Sequence, residues 1–283
     1  MKREWLFFVA GMLTVALPAL AVFGAWRLGL FADRPDRLLV YRSHGDRQLR
    51  LHLFAPRGAF PGSPTLLLFH GGGWQYGSAR DLYPQCRALA DAGVGCISAE
   101  YRLGASDGTG PREALDDARA AFAYVLDNAS ELGVARARLF VGGGSAGGQL
   151  AAAIGMGAGL RPGAEDAPSP PAGMVLYNPV LDLSPGTPDH HRAGDAWREL
   201  SPIDNLVAAV PPALILAAAE DREVPLATLQ RYCDKTEALG ARCELMVYPG
   251  ARHGFFHPSV EAGRYFRETN ARVLAFLRTT TGG

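Results

Sequence analysis

The feature that most constrains the fold is the stretch RLFVGGGSAGGQLAAA at residues 138–153. A strand-like apolar run leads into the pattern G-x-S-x-G, formed by Gly143, Ser145 and Gly147, and an alanine-rich helical pattern follows. This arrangement puts a serine on a sharp turn between a strand and a helix, where flanking glycines remove side chains that would collide. The pattern predicts a nucleophilic Ser145 with its hydroxyl clear of the sheet, and a glycine-rich turn with an incidental serine is the alternative.

The rest of the chain alternates strand-like and helical segments. Residues 38–41 and 49–54 flank a turn near the start and predict an antiparallel hairpin. Such alternation favours an α/β fold in which a mostly parallel central sheet carries helices on both faces. Further strands are predicted at residues 65–69, 94–99, 138–141, 173–177, 213–218 and 243–248, and helices at residues 81–92, 112–132, from 148, 226–239 and 262–277.

A serine hydroxyl needs a base, and the base needs an orienting group, before the serine can act as a nucleophile. Asp221 and His253 both follow predicted strands, at the edge where open α/β sheets place their sites. Glu220 competes with Asp221, but it lies closer to the strand, where it can point the other way. His257 competes with His253, but it lies beyond two phenylalanines and is expected in the wall or at the surface. We therefore expect Ser145, Asp221 and His253 to form a catalytic triad.

The sequence HGGGW at residues 70–74 puts three glycines at the end of another predicted strand. Attack by a serine on a carbonyl creates an oxyanion, which needs preorganised N–H donors, and glycines let backbone approach it closely. We expect the N–H groups of Gly72, Gly73 and Ala146 to form this oxyanion hole. A flexible surface loop is the alternative for this segment.

Several side chains near these groups are candidate substrate contacts. His70 is expected to shape the glycine loop by hydrogen bonding, and Trp74 either packs beneath that loop or borders the acyl site. Phe255 and Trp197 are further apolar residues of a size that limits acyl length. We expect His70, Trp74 and Phe255 to contribute to substrate binding.

Two segments interrupt the alternation of strands and helices. Residues 161–173 are rich in proline and are expected to form a surface connector, whereas the long polar segment 183–205 is expected to cover the site. That segment carries His190 and His191, which are expected at the surface. No third ligand falls at useful spacing from them, so no metal site is predicted.

Composition limits the broad class of protein. The 283 residues are enough for one large α/β domain with a sizeable core. The 28 basic and 28 acidic side chains balance, which gives no sign of a surface for polyanions. We therefore expect no nucleic-acid partner.

The amino terminus differs from the rest of the chain. Residues 5–26 are uncharged and apolar over a length that crosses a bilayer, which makes a membrane anchor one interpretation. Small residues ending at Ala21 also fit the cleavage site of a secretory signal peptide, and a buried structural helix is a third alternative. In the first two interpretations, the rest of the chain is exported from the cytoplasm. We expect residues 1–27 to be the targeting element and residues 28–283 a catalytic domain in the periplasm, outside the cell or anchored to the membrane.

Four cysteines form two similar units. Each unit reads as a helix that ends at a glycine and is followed by a strand. One unit contains Cys86 and Cys96, and the other contains Cys233 and Cys243. The first cysteine lies seven residues before the glycine and the second three residues after it. Both then lie about 10 Å from the glycine, at a matching level between helix and sheet. Disulfides within each unit are possible in an oxidising compartment, free buried cysteines are the alternative, and four cysteines allow three pairings.

HGGGW at residues 70–74, GGGSAGG at residues 142–148, D-x-x-V-P at Asp221 and H-G-F at His253 resemble the hormone-sensitive-lipase-like and acetyl-esterase branch of the α/β-hydrolases. The stretch GARCELMVYPGARHGFF is similar to exported acetyl-esterase and acetylxylan-esterase-like members. The resemblance covers residues 49–283. It implies the α/β-hydrolase fold, a triad in the chain order serine, aspartate, histidine, and a carboxylic ester hydrolase without a cofactor.

The chain departs from this family's pattern before the HGGGW strand. Members commonly carry cap helices there, whereas this sequence has mainly the predicted hairpin, so we expect little or no cap and an open site. An open site favours short, acetyl-like acyl groups on a small-molecule or carbohydrate alcohol, hydrolysed through an acyl-enzyme. A transacylase, a serine peptidase on the same fold and a non-catalytic exported binding module are the alternatives.

Overall fold

A computed structural model describes residues 34–58, 62–157 and 169–280. Residue contacts divide the chain into Met1–Arg34 and Pro35–Gly283, and every strand and helix described lies in the second unit. The apolar segment 5–26, the cleavage site after Ala21 and the boundary after residue 27 lie outside the described residues. Among the residues described, no helix has both the length and the apolar character needed to cross a membrane.

Within the described residues, eight strands form a single sheet. They are β1 (Arg37–His44), β2 (Arg47–Phe54), β3 (Thr65–Phe69), β4 (Gly95–Ala99), β5 (Leu139–Gly144), β6 (Met174–Tyr177), β7 (Ala213–Ala218) and β8 (Cys243–Tyr248). Their order across the sheet is β1-β2-β4-β3-β5-β6-β7-β8. The hairpin strands pair antiparallel, with each other and with β4, and all the other neighbours are parallel. The predicted α/β-hydrolase fold, with its two antiparallel strands at one edge, is confirmed.

Five longer helices connect or follow these strands. They are α1 (Tyr83–Asp91), α2 (Pro111–Asp127), α3 (Ala146–Gly155), α4 (Leu226–Ala238) and α5 (Arg264–Thr280). Single helical turns occur at Gly104–Asp107, Ala129–Leu132, His190–Ala193 and Trp197–Leu200, and 3₁₀ turns at Ala79–Leu82, Arg136–Arg138, Gly194–Ala196, Pro202–Asp204 and Glu261–Gly263.

Several predicted helix boundaries differ from the observed ones, and two of the differences have a clear structural cause. The helix predicted over residues 112–132 ends at Asp127, because Asn128 leaves helical geometry and separates it from a further turn. The helix predicted from residue 148 begins at Ala146, because Ser145 itself is the N-cap residue. The turn at the serine is therefore tighter than the sequence pattern indicated.

The core lies on both faces of the sheet, as the uninterrupted apolar run of β3 predicts. Successive residues of a strand point to opposite faces, so Leu67 and Phe69 join one cluster while Leu66 and Leu68 join the other. Helices α2, α3 and α4 cover the first face, and α1 and α5 cover the second. This sandwich fixes the carboxyl ends of the strands relative to one another.

The four cysteines form two disulfides, each within its own unit. Cys86 of α1 bonds to Cys96 of β4, and Cys233 of α4 bonds to Cys243 of β8. The Cα–Cα distances are 5.0 Å and 5.3 Å, so each helix residue lies directly over its strand partner. The structure thus selects one of the three pairings that the sequence left open.

The functional candidates follow five of the parallel strands. The segment at residues 70–74 follows β3, Ser145 follows β5, Asn178 follows β6, Asp221 follows β7, and His253 follows β8. Parallel strands end at the same edge of a sheet, where α/β proteins place their binding crevices. Residues far apart in the chain are thereby brought to one edge.

Candidate active site

Ser145 lies in a strained turn between β5 and α3. Its backbone angles are φ 52° and ψ −117°, a positive φ that a residue with a side chain rarely adopts. The Ser145 N–H donates to the carbonyl of Tyr177 at 2.9 Å, and the Ser145 carbonyl accepts from the N–H groups of Gln149 at 3.1 Å and Val180 at 3.2 Å. These bonds stabilise the strained turn. Ser145 also lines a cavity at the carboxyl ends of the parallel strands.

The glycines around the serine are required by close backbone packing. A Cβ added at Gly143 or at Gly147 would collide with the carbonyl oxygen of Phe69, the last residue of β3. The nucleophile turn therefore sits directly against the start of the HGGGW loop. This contact explains why the motif needs glycine two residues before and two residues after the serine.

The glycine loop turns sharply at Gly72 and Gly73, whose φ angles are 113° and 60°. The Gly72 carbonyl accepts the N–H of Tyr76 at 3.0 Å, and a Cβ at Gly72 would collide with the Tyr76 carbonyl. Within the described residues, neither glycine N–H donates a hydrogen bond, and both glycines line the cavity together with Ser145. Ala146, the third predicted donor, begins α3 and is fully buried.

His70 braces this loop from below. Its Nδ1 donates to the Gly71 carbonyl at 2.7 Å, and its ring stacks on Tyr101 at a centroid distance of 4.4 Å. The Tyr101 hydroxyl in turn donates to the His70 carbonyl at 2.8 Å. Burial lowers the pKa of His70, although the hydrogen bond to the Gly71 carbonyl opposes that shift. His70 shapes the loop, as predicted, but does not line the cavity, and its contact with substrate stays a prediction.

Trp74 and Phe255 are also not at the cavity surface. Both side chains are fully buried. Trp74 packs beneath the loop, where its Nε1 donates to Oε1 of Gln149 at 3.1 Å. Phe255 packs against Tyr248 in the core. Neither ring lines the cavity, because burial under the site is favourable for large apolar rings, and their role in substrate binding stays a prediction.

Asp221 and His253 form a hydrogen-bonded pair. His253 Nδ1 donates to Asp221 Oδ2 at 2.8 Å, and the other carboxylate oxygen accepts the N–H groups of Glu223 at 2.9 Å and Val224 at 3.0 Å. The amide of Asn178 also donates to Oδ2. The Asp221 side chain is 2% exposed, so these four donors are what stabilise its buried charge.

The competing residues lie away from this pair. Glu220 is exposed and pairs with Arg252. His257 bonds to the hydroxyl of Ser259 at the surface. The geometry therefore brings together the predicted Asp221 and His253, while the two alternatives face solvent.

The two partners shift each other's pKa in opposite directions. Burial raises the pKa of Asp221, but the hydrogen bonds from His253 and the two backbone N–H groups outweigh it and lower the pKa overall. Burial lowers the pKa of His253, but the hydrogen bond and charge of Asp221, with Glu223 and Asp189, outweigh it and raise the pKa overall. The pair is thus suited to accept and stabilise a proton on the imidazole.

The cavity beside Ser145 and His253 has a volume of about 410 Å³. The polar segment 183–205, which was predicted to cover the site, contributes Asp189, His191 and Arg192 to the lining of this cavity. The remaining lining includes Gly72, Gly73, Tyr76, Val180, Pro188 and Glu223. His191, expected at the surface, is an exposed residue of the cavity rim, and the lining includes charged side chains of both signs, from Asp189, Arg192 and Glu223.

Three residues that contact the triad or the glycine loop were not predicted from the sequence. Asn178 is buried, has a positive φ of 42° and holds the Asp221 carboxylate. It directly follows β6, so the rule that located Asp221 and His253 also pointed to it. Glu223 lies within the D-x-x-V-P motif itself. Arg192, whose Nη1 donates to the Gly73 carbonyl at 3.3 Å, had no sequence signal.

The described residues contain no group of three or more histidine, cysteine, aspartate or glutamate side chains arranged to hold a metal ion. Serine hydrolases typically have a hydrogen-bonded acid and histidine that share a cavity with a serine on a strand-to-helix turn. The chemistry of such a site is acyl transfer by its own side chains.

Comparisons with known proteins agree with that class. Residues 66–200 match the family described as alpha/beta hydrolase fold, and residues 198–281 match the dienelactone hydrolase family. An AB hydrolase superfamily protein of Schizosaccharomyces pombe is 30% identical over 268 residues, which cover 79% of this chain and 74% of that protein. Ethyl acetate hydrolase of Pseudomonas putida is 29% identical, over 79% of this chain and 77% of the enzyme.

A solved structure extends the similarity to three dimensions. The thermophilic esterase Est2 of Thermogutta terrifontis, with propionate bound, superposes with a TM-score of 0.78 at 31% identity. The match covers 85% of this chain and 93% of that esterase. The chain belongs to the α/β-hydrolase family.

Proposed function

We propose that this serine carboxylesterase hydrolyses short-chain, acetyl-like acyl esters through an acyl-enzyme. The observation that carries the proposal is that Ser145, the glycine loop at Gly72 and Gly73, and His253, which is bonded to Asp221, line one cavity. The similarity to ethyl acetate hydrolase, and to an esterase structure with propionate bound, supports a short acyl group.

The mechanism has two acyl transfers. The Ser145 Oγ attacks the ester carbonyl while His253 Nε2 takes the hydroxyl proton, and the resulting oxyanion is held by the N–H groups of Gly72, Gly73 and Ala146. The C–O bond to the alcohol then breaks as His253 gives its proton to the departing oxygen. Water, activated by the same imidazole, attacks the acyl-enzyme and releases the acid and free Ser145.

The proposed alcohol portion is large and rich in hydroxyl groups, such as an acetylated sugar. Support comes from the hydrogen-bonding side chains in the cavity lining, among them Asp189 and Glu223, and from Tyr76, which lines the cavity and is 69% exposed. An exposed aromatic ring beside hydrogen-bonding groups suits the apolar face and the hydroxyl groups of a sugar. The site then selects by the alcohol as well as by the acyl group.

We also propose that the enzyme is exported, with residues 1–27 as a signal peptide or a membrane anchor. The uncharged apolar segment 5–26 supports export. The two disulfides support it as well, since disulfides persist mainly in oxidising compartments.

The test is a hydrolysis profile of 4-nitrophenyl esters from acetate to long acyl chains, measured with the wild type and Ser145→Ala. We expect the highest kcat/KM between acetate and butyrate, and a loss of at least about 10⁴-fold in the variant because the nucleophile is missing. Ser130→Ala, at an exposed helical serine, is the matched control and should retain full activity. Retained activity in Ser145→Ala, or a preference for long chains, would contradict the proposal.

A second readout identifies the nucleophile directly. A similar esterase from Thermogutta terrifontis has been solved after phosphorylation by paraoxon. Paraoxon should therefore add one diethyl phosphoryl group to the wild type and none to Ser145→Ala, as measured by mass spectrometry of the intact protein.

A further inference from the structure

The carboxylate of Glu223 lies beside the catalytic histidine on the side away from Asp221. Glu223 Oε2 is 3.6 Å from His253 Nε2, the nitrogen that exchanges protons during the reaction. The Glu223 N–H donates to Asp221 at 2.9 Å, so the backbone of Glu223 is fixed to the triad. Its side chain is 68% exposed and lines the cavity, which leaves the carboxylate free to meet a substrate.

The position of Nε2 defines which part of the substrate Glu223 meets. His253 Nε2 must come within hydrogen-bonding distance of the alcohol oxygen, because it protonates that oxygen as the ester bond breaks. A carboxylate 3.6 Å from the same nitrogen therefore borders the alcohol portion. The acyl carbonyl oxygen, in contrast, lies toward the N–H groups of Gly72 and Gly73.

Glu223 contributes a negative charge to this cavity, and no arginine or lysine side chain among the described residues lies close enough to offset it. Asp189 also lines it, but Arg192 Nε lies 3.5 Å from the Asp189 carboxylate and offsets its charge. Among the described residues, Glu223 has no arginine or lysine within 4 Å, and its one ionisable partner at that distance is His253. A carboxylate accepts hydrogen bonds and donates none, so this end of the cavity favours donors.

We propose that Glu223 determines specificity by binding an alcohol portion that carries a hydrogen-bond donor next to the ester oxygen. The donor is a neighbouring hydroxyl group, as in a polyol, or an ammonium group. This inference rests on the proposed ester hydrolysis and adds the residue that selects the alcohol. Bonds from such donors to a charged acceptor are stronger than bonds between neutral groups.

The test compares matched pairs of acetate esters with the full-length enzyme. One pair is 2-hydroxyethyl acetate and propyl acetate, which differ in the hydroxyl donor. The other pair is the ammonium form of 2-(dimethylamino)ethyl acetate and 3-methylbutyl acetate, which have nearly the same shape and differ in the charged N–H donor. Acid release is followed at a pH where His253 is neutral, and the readout is the ratio of kcat/KM within each pair.

We expect the wild type to favour the donor-bearing ester in at least one pair. Glu223→Met removes the acceptor and should lower that ratio by about fivefold, a modest effect because the side chain is exposed. Glu223→Gln keeps an acceptor but removes the charge, so a lower ratio in the amine pair identifies an ammonium group as the donor. A ratio that falls in the hydroxyl pair only with Glu223→Met identifies a polyol.

Glu220→Gln is the matched control, because Glu220 is a nearby exposed acid that pairs with Arg252 outside the cavity. Its ratios should equal those of the wild type. Unchanged ratios in both Glu223 variants, with 4-nitrophenyl acetate still hydrolysed, would overturn this inference alone. An enzyme that hydrolyses none of these esters would overturn the proposed function and this inference with it.

Discussion

The two sides of the cavity differ in what holds their functional groups in place. On the oxyanion side, the N–H groups of the HGGGW loop and the Ser145 turn are positioned by backbone packed against backbone, with Gly147 against Phe69. On the acid–base side, Asp221 and His253 are positioned by side-chain hydrogen bonds, including the one from Asn178. The first side depends on the absence of side chains and the second on their presence.

Position in the sheet accounts for this difference. β3 and β5 are central strands, neighbours of each other and paired on both sides, and all their residues are buried. β8 is an edge strand, and its Met246 and Val247 are partly exposed. Packing fixes the oxyanion side, whereas His253, on a loop after an edge strand, relies on Asp221 for its orientation.

The largest effect is expected from Asp221→Asn, which breaks the acid–base side. The amide can donate where the carboxylate accepts, so His253 is held in the wrong tautomer and kcat should fall about 10³- to 10⁴-fold. The melting temperature should fall by only a few degrees, because the amide oxygen of the variant can still accept the N–H groups of Glu223 and Val224. Activity assays and thermal unfolding check both statements. The control Glu220→Gln removes a neighbouring exposed charge, and an equal loss in that variant would contradict the assignment of Asp221.

A second effect is expected from Gly147→Ala, which breaks the oxyanion side by adding one methyl group. The new Cβ would collide with the Phe69 carbonyl, and backbone cannot yield as a flexible side chain does. We expect the free energy of unfolding to fall by about 3 kcal/mol, together with a loss of activity.

Denaturant unfolding measures this loss against a glycine where a methyl group fits. At Gly110 the added Cβ would meet Glu113 Oε2 at 3.5 Å, an ordinary contact. Gly110→Ala should therefore cost less than about 1 kcal/mol. Equal stability of the two variants would show that the close contact at Gly147 does not constrain the fold.

The smallest effect is expected in the pH dependence of the rate, which reports on the charges around His253 on the acid–base side. The pKa of His253 is raised above its ordinary value near 6.5, because Asp221, Glu223 and Asp189 together outweigh burial. The neutral imidazole is the base, so kcat/KM should fall as the pH drops through that raised pKa and reach a plateau above it. Glu223→Gln removes one of the carboxylates and should move this acid limb toward lower pH.

Rate profiles from about pH 5 to about pH 9 with 4-nitrophenyl acetate check this prediction. Glu220→Gln, with the same change in charge farther from the histidine, should leave the limb in place. A wild-type limb centred below 6.5 would show that burial prevails over the surrounding carboxylates.

The parts of the site that the sequence predicted share a local signal. The glycine loop, Ser145, Asp221 and His253 each follow an apolar strand-like run, so a one-dimensional pattern was enough to put them at one sheet edge. The burial of Trp74 carried no such signal. Its hydrogen-bond partner Gln149 is 75 residues away, and only the packed structure brings the two together.

The same distinction applies to the cysteines. Their spacing from Gly93 and Gly240 predicted a matching level between helix and strand, but three pairings satisfied the sequence. The choice between them depends on which side of the sheet each helix covers. That side is set by packing across the whole sheet, where α1 and α4 lie on opposite faces.

Local sequence patterns were enough to predict the alternating α/β architecture, the nucleophile turn, the glycine loop and the order of the triad. Each of these is encoded in a short stretch whose apolar period and glycines restrict the local backbone. The folded structure was needed to show that Asn178 holds Asp221, that Glu223 and Arg192 line the cavity, and that Trp74 and Phe255 lie beneath it. Those contacts join residues distant in the chain, and their geometry exists only once the strands are aligned in one sheet.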